Sequence, residues 1–473
     1  MATLVMKFGG VSVGSAPALA QVLNIIAWES GRWDSVLVVV SALDGVTDML
    51  LDAAQLARIA NQRGYRRIAA NLRSRHFAIM EQLPLDRPER STLEADIDHL
   101  LSEMLDHCMQ IAADLNVELS PLHSDAVVAI GEKLSARIIA ALLRQNGIRC
   151  AAVDGTDLLV TDDVFGNANP DLQFTAQRVE QVLRPMLQRD IVPVVTGFIG
   201  ATAGGETTTL GRGGTDYTAS VLCALLEADE LWLWTDVDGM MSADPSEVID
   251  ARIINSLSYS EAADLAYFGA RILHARMIAP LAQQGLPLRI KNIFSPEQTG
   301  TLISKTSQND TPTLKAVTST QGLALRRPAS GSLAGVTRLV GNTLFKTLGM
   351  RSEVLIASQS SNSSFLCLVI PTSIGIDGVD RLERALKAKM AEYPEKMPWA
   401  IEAVGLVTVI GAGLHSAPQL IAEMLQTLAA TEVYGLALGA SNCSVTVALP
   451  LQSSPEAVRR IHEVIVRSDS DSD

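Results

Sequence analysis

Glu206-Thr-Thr-Thr-Leu-Gly-Arg-Gly-Gly-Thr-Asp-Tyr217 is the most informative stretch of this 473-residue chain. It sets Arg212 and Asp216 among glycines, directly before the apolar run 218–228. A glycine-rich loop exposes backbone N–H groups, and arginine adds a planar fork of donors that matches a carboxylate or a phosphate. The stretch therefore predicts a loop that binds a small anion, followed by a helix.

Composition excludes several classes of protein. The 38 basic and 52 acidic side chains give a net charge of −14, which argues against a nucleic-acid partner. No apolar run reaches the roughly 18 residues needed to span a bilayer, and Lys7 with two glycines interrupts any signal-like segment at the N-terminus. The five cysteines lack metal or disulfide spacing, which is typical of buried thiols in a reducing cytoplasm. We therefore expect a cytoplasmic protein with no membrane contact.

Apolar runs and helical patterns alternate over the first 300 residues. The runs that predict strands are 4–8, 35–41, 127–130, 149–153, 191–198, 230–235 and 287–292. Between the first of them, 16–28 and 46–59 have helical periodicity. Such alternation is typical of α/β proteins with a mostly parallel sheet sandwiched by helices.

A charged, helical region at 55–115 is split by Pro84 and Pro88 and predicts a helical hairpin. One of its faces must be buried, and the apolar residues of that face are Leu93, Ile97, Leu100, Leu101 and Leu105. Two interpretations stay open at this point: the face packs on its own domain, or it forms a dimer surface.

The C-terminal part repeats itself with an offset close to 80 residues. Ser361-Asn-Ser-Ser364 and Ser441-Asn-Cys-Ser444 are each followed by an apolar run that ends at a proline. An amphipathic helix precedes each copy, at 337–348 and 418–429, so each copy predicts a ferredoxin-like strand–helix–strand–strand–helix module. The polar stretch 298–318 predicts a linker before them.

Two further motifs flank the opening stretch. Lys7-Phe-Gly9-Gly10 ends the first strand with a glycine pair, which predicts an anion cradle beside a lysine, although such a pair is also an ordinary turn. Thr235-Asp-Val-Asp-Gly239 ends the strand at 230–235, and its aspartates are also common turn formers. The three motifs, in this order and spacing, resemble those of the aspartokinases, members of the amino-acid kinase family. The turn at 299–303 resembles the kinase half of the bifunctional aspartokinase–homoserine dehydrogenases.

The resemblance implies a domain organisation. We expect an amino-acid kinase domain over 1–304, a linker at 305–320, ACT modules at 321–396 and 397–467, and a disordered acidic tail at 468–473. It also implies a homo-oligomer formed through the ACT modules, which are expected to bind an amino-acid effector. The first repeat has Gly331-Ser-Leu-Ala-Gly335 where the family has a Gly- and Asn-rich effector loop, which does not favour inhibition by lysine or threonine.

The resemblance further implies aspartate kinase activity, in which ATP with Mg²⁺ phosphorylates the β-carboxylate of L-aspartate. This is the first step towards lysine, threonine and methionine. The implied catalytic residues are Lys7 and Asp216. The implied substrate-binding residues are Thr47, Glu132, Arg212, Gly213, Gly214 and Thr215. The implied ATP-binding residues are Lys7, Gly9, Gly10, Thr235, Asp236, Met241, Ser246, Arg271 and Ile272. No direct metal ligand is expected.

Simple structural roles compete with several of these assignments. Thr47 could begin or cap a helix, Glu132 could be a helix N-terminal acid after strand 127–130, and Asp216 could be an N-cap. The motif 268–274 predicts a helix that carries a basic residue towards phosphates, with His274 as a packing or capping residue.

Three positions depart from the family pattern on the nucleotide side. Met241 replaces a common tyrosine, Ser246 an arginine and Arg271 a lysine, so ATP affinity is in question. Two alternatives to aspartate kinase remain: a kinase for another acidic amino acid, and a catalytically impaired subunit that binds amino acids.

Overall fold

The computed structural model describes residues 2–113, 120–269, 273–305, 311–328, 333–348, 353–370, 375–391 and 399–470. The strands in chain order are β1 Thr3–Phe8, β2 Ser35–Val40, β3 Cys150–Val153, β4 Val160–Thr161, β5 Val192–Thr196, β6 Ile199–Thr202, β7 Thr207–Thr209, β8 Glu230–Thr235, β9 Ser256–Ser258, β10 Leu288–Asn292, β11 Thr301–Ser304, β12 Thr313–Arg327, β13 Glu353–Gln359, β14 Ser364–Ile370, β15 Ala400–Ala412, β16 Gly435–Ala437 and β17 Ser444–Pro450. The helices are α1 Gly10–Val13, α2 Ala16–Ser30, α3 Val46–Arg58, α4 Gln62–Glu81, α5 Arg87–Ala113, α6 Ser120–Gln145, α7 Leu172–Leu187, α8 Gly214–Leu226, α9 Tyr259–Tyr267, α10 Ala275–Gln284, α11 Leu333–Leu348, α12 Gly375–Ala391, α13 Pro418–Thr427 and α14 Ser454–Ser470.

The chain forms two compact units. Unit 1 comprises residues 1–240 and 273–306, and unit 2 comprises residues 241–272 and 307–473. Residues 241–269 therefore pack with the C-terminal repeats, although the sequence predicts them in the kinase domain. Within unit 2, for example, the hydroxyl of Ser242 and Nε2 of His462 are hydrogen-bonded at 2.8 Å in the interior. The predicted boundaries at 304, 320, 396 and 467 remain predictions.

Unit 1 is built on a mostly parallel sheet with the strand order β3-β5-β2-β1-β8-β10-β11. Only the last pair of this series, β10 and β11, is antiparallel. Even-numbered residues of β1 share a core with α2 and α6, while Val5, also fully buried, points to the other face. Helix α8 packs on β1, β2 and β8. Burial on both faces explains the uninterrupted apolar run 36–40 of β2, all of whose residues are buried.

The helical hairpin of α4 and α5 packs within unit 1. Leu93, Ile97, Leu100 and Leu101 are buried in its main core, and the half-buried Leu105 packs against that core. This confirms the interpretation as packing on its own domain, and the alternative of a dimer surface on this face is wrong.

Unit 2 contains one antiparallel sheet of the two repeats, in the order β13-β14-β12-β15-β17-β16. Strand β12 of the first repeat pairs with β15 of the second over most of its length. Helices α11 and α12 cover the first repeat, and α13 and α14 cover the second. The predicted strand–helix–strand–strand–helix order is thereby confirmed for both copies.

The apolar run 127–130 is not a strand. It lies in α6, where Val127, Val128 and Ile130 are all buried. A short apolar run does not distinguish a buried helix from a buried strand, and Gly131 suggested a strand end. The glycine instead allows close packing, because a Cβ at this position would lie 2.8 Å from Cβ of Ala42.

Three other expectations fail at the level of secondary structure. Helix α9 ends at Tyr267, so the described part of motif 268–274 is not helical, since Gly269 has φ +120°. Most of the described part of the predicted linker is strand, because β11 and β12 occupy 301–304 and 313–318. The tail residues 468–470 belong to α14, while 471–473 lie outside the described residues.

Candidate active site

A cleft of about 310 Å³ opens in unit 1 beyond the carboxyl ends of β1, β2 and β5. This is the edge at which ligands bind in open α/β sheets. The cleft is lined by Lys7, Gly10, Ser41, Ala42, Leu43, Asp44, Gly45, Thr47, Glu132, Phe198, Gly211, Arg212, Gly213, Gly214, Thr215 and Asp216. It therefore brings together all the predicted catalytic and substrate-binding residues.

Lys7 and Asp216 form an ion pair on the wall of the cleft. Nζ of Lys7 lies 2.6 Å from Oδ1 of Asp216, and both side chains are about 15% exposed. Asp216 lies in the first turn of α8, whose N-cap is Gly213 without a side-chain cap. The interpretation of Asp216 as an N-cap is therefore wrong, and its carboxylate holds the lysine ammonium group at the cleft.

The glycine-rich loop needs its glycines for conformation and for space. Gly211 and Gly213 have φ values of +73° and +72°, a region that side chains disfavour. A Cβ on Gly213 would also lie 2.6 Å from Cβ of His274, so the loop packs directly on that residue. His274 is the N-cap of α10 and accepts a hydrogen bond from the amide of Arg276, which confirms its predicted capping role.

Arg212 extends from this loop as an exposed side chain. Its guanidinium forms no hydrogen bond or ion pair with any residue that the structure describes. Five donors are therefore available at the rim of the cleft. Such a group can receive a carboxylate through two parallel hydrogen bonds.

Glu132 is the buried carboxyl group of the cleft. It lies in the middle of α6, not at a strand end or a helix N-terminus, and is 3% exposed. Burial raises its pKa to about 8, although the backbone amide of Ala42 favours the charged form. Its Oε2 has no partner among the described residues. An ammonium group in the cleft would satisfy it.

Thr47 is close to the start of α3 but does not cap it. The N-cap of α3 is Gly45, with φ +70° and no side-chain cap, and Thr47 lies in the first turn. The threonine also lines the cleft. The capping interpretation is therefore wrong.

The glycine pair after β1 approaches both the lysine and the neighbouring loop. A Cβ on Gly9 would lie 3.4 Å from Nζ of Lys7, and one on Gly10 would lie 3.1 Å from the carbonyl oxygen of Ala42. A small anionic group can therefore approach the backbone here, where any side chain would fill the space. Gly10 lines the cleft, whereas Gly9 is not among its lining residues.

The other predicted ATP-binding residues do not line this cleft. Thr235 and Asp236 lie in unit 1 at the end of β8, where the Thr235 hydroxyl donates to the Asp236 carboxylate. Met241 and Ser246 belong to unit 2, where the amide and hydroxyl of Ser246 donate to Asp244. The remaining two, Arg271 and Ile272, lie outside the described residues.

Sequence reasoning missed Phe198, which lines the cleft with φ +68°. A positive φ is rare for a bulky residue and often marks a functional site. The amide of Phe198 donates to the hydroxyl of Thr218, and its carbonyl accepts from the amide of Leu210. These two hydrogen bonds stabilise the positive φ. The predicted strand 191–198 includes Phe198, whereas β5 ends at Thr196, so no local signal marked this residue.

Two polar side chains, the buried Asp125 and the half-buried Arg276, brace the glycine-rich loop, and both were missed. Asp125 accepts backbone hydrogen bonds from Gly166 at 2.8 Å and from Thr209 at 2.7 Å. Arg276 donates to the carbonyl of Leu210 at 2.8 Å, and its guanidinium lies 4.7 Å from the ring centroid of Tyr217. It also donates to Asn167, Ala168 and Asn169. These residues hold the loop that carries Arg212.

The described residues contain no group of three or more His, Cys, Asp or Glu side chains placed to hold a metal ion. Nor does any described helix have the length and apolarity needed to cross a membrane.

Comparison with known proteins agrees with this architecture. The model of the amino acid kinase family matches residues 2–292. The chain belongs to the amino acid kinase family. Maize bifunctional aspartokinase/homoserine dehydrogenase 2 is 30% identical over 97% of this chain and 50% of its own length. This amino acid kinase therefore spans about half the length of the bifunctional relatives that it matches.

Similarity to an aspartokinase that is not fused to a dehydrogenase extends over nearly the full length of both chains. The lysine-sensitive aspartokinase 3 of Escherichia coli is 28% identical to this amino acid kinase over 97% of the chain and 98% of the relative. The crystal structure of E. coli aspartokinase III in complex with aspartate and ADP matches with a TM-score of 0.78 and 27% identity, covering 98% of this chain and 99% of that one. The resemblance to aspartokinases and the predicted fold class are thereby confirmed.

Proposed function

We propose that this chain is an aspartate kinase that transfers the γ-phosphoryl group of ATP to the β-carboxylate of L-aspartate. The observation that carries the proposal is the cleft, in which three groups converge: a guanidinium without a partner among the described residues, a buried carboxyl group with one such unpartnered oxygen, and a lysine ammonium group. These three groups complement the two carboxylates and the ammonium group of aspartate and the phosphoryl group it receives. The aspartate and ADP held by E. coli aspartokinase III support the same substrates.

The substrate would be oriented by charge at both ends. Arg212 would bind a carboxylate of aspartate with two hydrogen bonds, and Glu132 would accept hydrogen bonds from its ammonium group. The loop of Gly213, Gly214 and Thr215 and the hydroxyl of Thr47 would complete the pocket. Holding the β-carboxylate in position contributes to the rate, because phosphoryl transfer depends mostly on positioning and charge stabilisation.

Lys7 would stabilise the negative charge of the transferring phosphoryl group. Asp216 holds its ammonium group at 2.6 Å and thereby fixes it at the carboxyl end of β1. The β-carboxylate of the substrate is itself the nucleophile, so the enzyme needs neither a general base nor a covalent intermediate.

The nucleotide would approach the turn of Gly9 and Gly10, where the backbone leaves room for phosphate oxygens. Mg²⁺ would enter with the nucleotide and supply positive charge that offsets the charge of its phosphates, with few direct protein ligands. We further propose roles in ATP binding for Thr235, Asp236, Met241, Ser246, Arg271 and Ile272.

The two repeats of unit 2 would act as ACT modules, pair across chains in a homo-oligomer, and bind an amino-acid effector if one exists. E. coli aspartokinase III has been crystallised with lysine and aspartate, which supports the binding of an amino-acid effector. We also propose a cytoplasmic location. Light scattering of the purified protein would test the oligomer, and a monomer at micromolar concentration would refute it.

The decisive test is an assay with ATP, Mg²⁺ and L-aspartate in which hydroxylamine traps the acyl phosphate. We expect hydroxamate that depends on all three components, with L-glutamate giving much less product. Product with another acidic amino acid in place of aspartate would favour a different amino-acid kinase. No product, together with no ATP binding by calorimetry, would favour the alternative of an impaired amino-acid-binding subunit, which the departures at Met241, Ser246 and Arg271 suggest.

The pKa of Glu132 predicts a pH dependence of aspartate use. Only the carboxylate form attracts the substrate ammonium group, and this form predominates above pH 8 in the free protein. We therefore expect kcat/KM for aspartate to rise up to about tenfold per pH unit between pH 6 and 8 and then to level off. Replacing Glu132 by glutamine should raise KM and remove this rise; a flat profile for the wild type would contradict the assignment.

The carboxyl group of Glu132 should also make the stability of the folded protein fall as the pH rises, in contrast to kcat/KM. Because the pKa of Glu132 is raised in the folded state, the folded protein keeps a proton that the unfolded chain releases. Its contribution to stability is present at acid pH and is lost as the pH rises through about 8. Thermal unfolding should therefore show the glutamine variant gaining stability relative to the wild type as the pH rises to about 8. A cooperative unfolding transition would also show that the variant is folded.

Arg276 is predicted to be a positioning residue for the substrate loop. Arg276→Lys keeps the charge. A lysine cannot donate at once to the acceptors in segment 167–169 and to the carbonyl of Leu210. We expect KM for aspartate to rise about tenfold, with kcat falling less than about threefold. The control is Arg149→Lys, which changes an exposed surface ion pair and should leave KM unchanged. A lower melting temperature with an unchanged KM would indicate a purely structural role.

A further inference from the structure

A second cavity in unit 1, of about 680 Å³, shares no lining residue with the substrate cleft. Its floor is one face of β8 and β10, where Trp232 and Trp234 are the register partners of Arg289 and Lys291. Helix α2 and the segment after β10 form the walls. The wall residues are Gln21, Asn24, Ile25, Trp28, Pro296, Glu297 and Thr299. Its volume lies within the range of small-molecule sites.

Two buried donor groups of the floor have N–H bonds without an acceptor among the described residues. Lys291 is 7% exposed, and its Nζ donates to the carbonyl of Gln298 at 2.5 Å, which uses one of its three N–H bonds. The ammonium group lies 5.2 Å and 5.5 Å from the ring centroids of Trp232 and Trp234, and burial is the main cause that lowers its pKa. Nε1 of Trp234, a residue only 1% exposed, has no hydrogen-bond partner among the described residues.

The carboxylates around the cavity are already engaged. Glu29 accepts from the indole of Trp33 at 3.1 Å, and Glu230 accepts from the indole of Trp232 at 2.5 Å. Each of these carboxylates also has an arginine nitrogen at 3.6 Å. Glu297, the remaining acid, is exposed at the rim. The unmatched groups in the interior are therefore hydrogen-bond donors, one of them cationic, beside aromatic surface.

We propose that this cavity is a binding site for a planar organic anion, specifically an aromatic carboxylate. The carboxylate would accept hydrogen bonds from Lys291 and from the indole N–H of Trp234, and the ring would pack against Trp28 and Trp232. Arg32, whose guanidinium lies 6.0 Å from the Trp28 ring centroid, provides a second cation at the mouth. The proposed kinase reaction uses none of these groups, so the site is independent of it.

Calorimetry with 4-hydroxybenzoate as the probe tests the proposal, with 4-hydroxybenzamide as the neutral control of the same shape. We expect saturable binding of one molecule per chain with a Kd of about 10–100 µM, and binding of the amide at least about tenfold weaker. Tryptophan fluorescence gives a second readout. Four of the five tryptophans of the chain lie around the cavity, three in its lining and Trp33 against Trp232.

Point variants locate the probe. Lys291→Met should weaken binding about tenfold or more, and Lys291→Arg should retain most of it, which controls for folding. Trp234→Phe keeps the ring but loses the donor, so about a fivefold loss is expected. Arg149→Met removes an exposed charge elsewhere in the unit and should have no effect.

Two outcomes would overturn the proposal. One is the absence of saturable binding at millimolar concentrations of the probe. The other is binding that survives Lys291→Met but is lost in Arg212→Ala, because the probe would then occupy the substrate cleft. Retained binding in Arg212→Ala together with loss in Lys291→Met would support the second site, whether or not the protein phosphorylates aspartate.

Discussion

Lys7→Met is expected to lower kcat by about 10²–10³-fold while changing KM for aspartate by no more than about threefold. The ammonium group lies in the cleft at the end of β1, where the glycine pair leaves room for a phosphoryl group. Charge accumulates on the phosphoryl oxygens mainly in the transition state, so the loss should appear in kcat. Methionine retains most of the side-chain length, which limits the change in packing.

Lys133→Met is a matched control for this experiment. Lys133 is also in unit 1 and similarly shielded, at 18% exposure, but it lies 4.0 Å from Asp154 and does not line the cleft. Its replacement should change kcat by no more than about twofold. Asp216→Asn gives a second comparison, because it releases Lys7 without removing the charge, and its loss should be smaller. A Lys7→Met variant with near-normal kcat and a raised KM would make Lys7 a substrate-binding residue instead.

Local sequence signals were sufficient for the parts of the site built from strand ends. Lys7 lies near the end of β1 and Gly10 follows that strand, so both belong to a recognisable strand end. In the loop of Arg212, Gly211 and Gly213 have positive φ values, which glycine adopts most readily. The repeat in unit 2 was also readable, since two copies of the same pattern support each other. The run 127–130 failed because a helix buried on most sides shows no amphipathic period.

Long-range packing accounts for what the sequence could not predict. Arg276 and Asp125 brace the substrate loop from positions 66 and 84 residues away from their partners Leu210 and Thr209. No local pattern marks such contacts. The same holds for residues 241–269, which lie between strands of unit 1 in the sequence yet pack in unit 2. The family resemblance predicted Glu132 as a residue of the substrate site, and it does line the cleft. The strand predicted directly before it was wrong.

A loss of similar size is expected for Arg212→Ala, which should lower kcat/KM for aspartate by at least about 150-fold, or about 3 kcal/mol of transition-state binding. The guanidinium is exposed at the rim and has no protein partner among the described residues, so its donors are free for the substrate. For the same reason the variant should unfold at nearly the temperature of the wild type. A loss of activity without a loss of stability separates a binding role from a structural one.

Arg212→Lys distinguishes charge from geometry at this position. Lysine restores the positive charge but cannot make two parallel hydrogen bonds to one carboxylate, so we expect it to recover only a small part of the lost kcat/KM. If Arg212→Lys restored kcat/KM fully, a positive charge at the rim of the cleft would be sufficient for substrate use, without the two parallel hydrogen bonds. Near-normal turnover of Arg212→Ala would contradict the carboxylate site itself. Because the proposed partner of Glu132 is the other end of the substrate, the Arg212→Ala variant should keep the pH dependence of wild-type kcat/KM, at a much lower value.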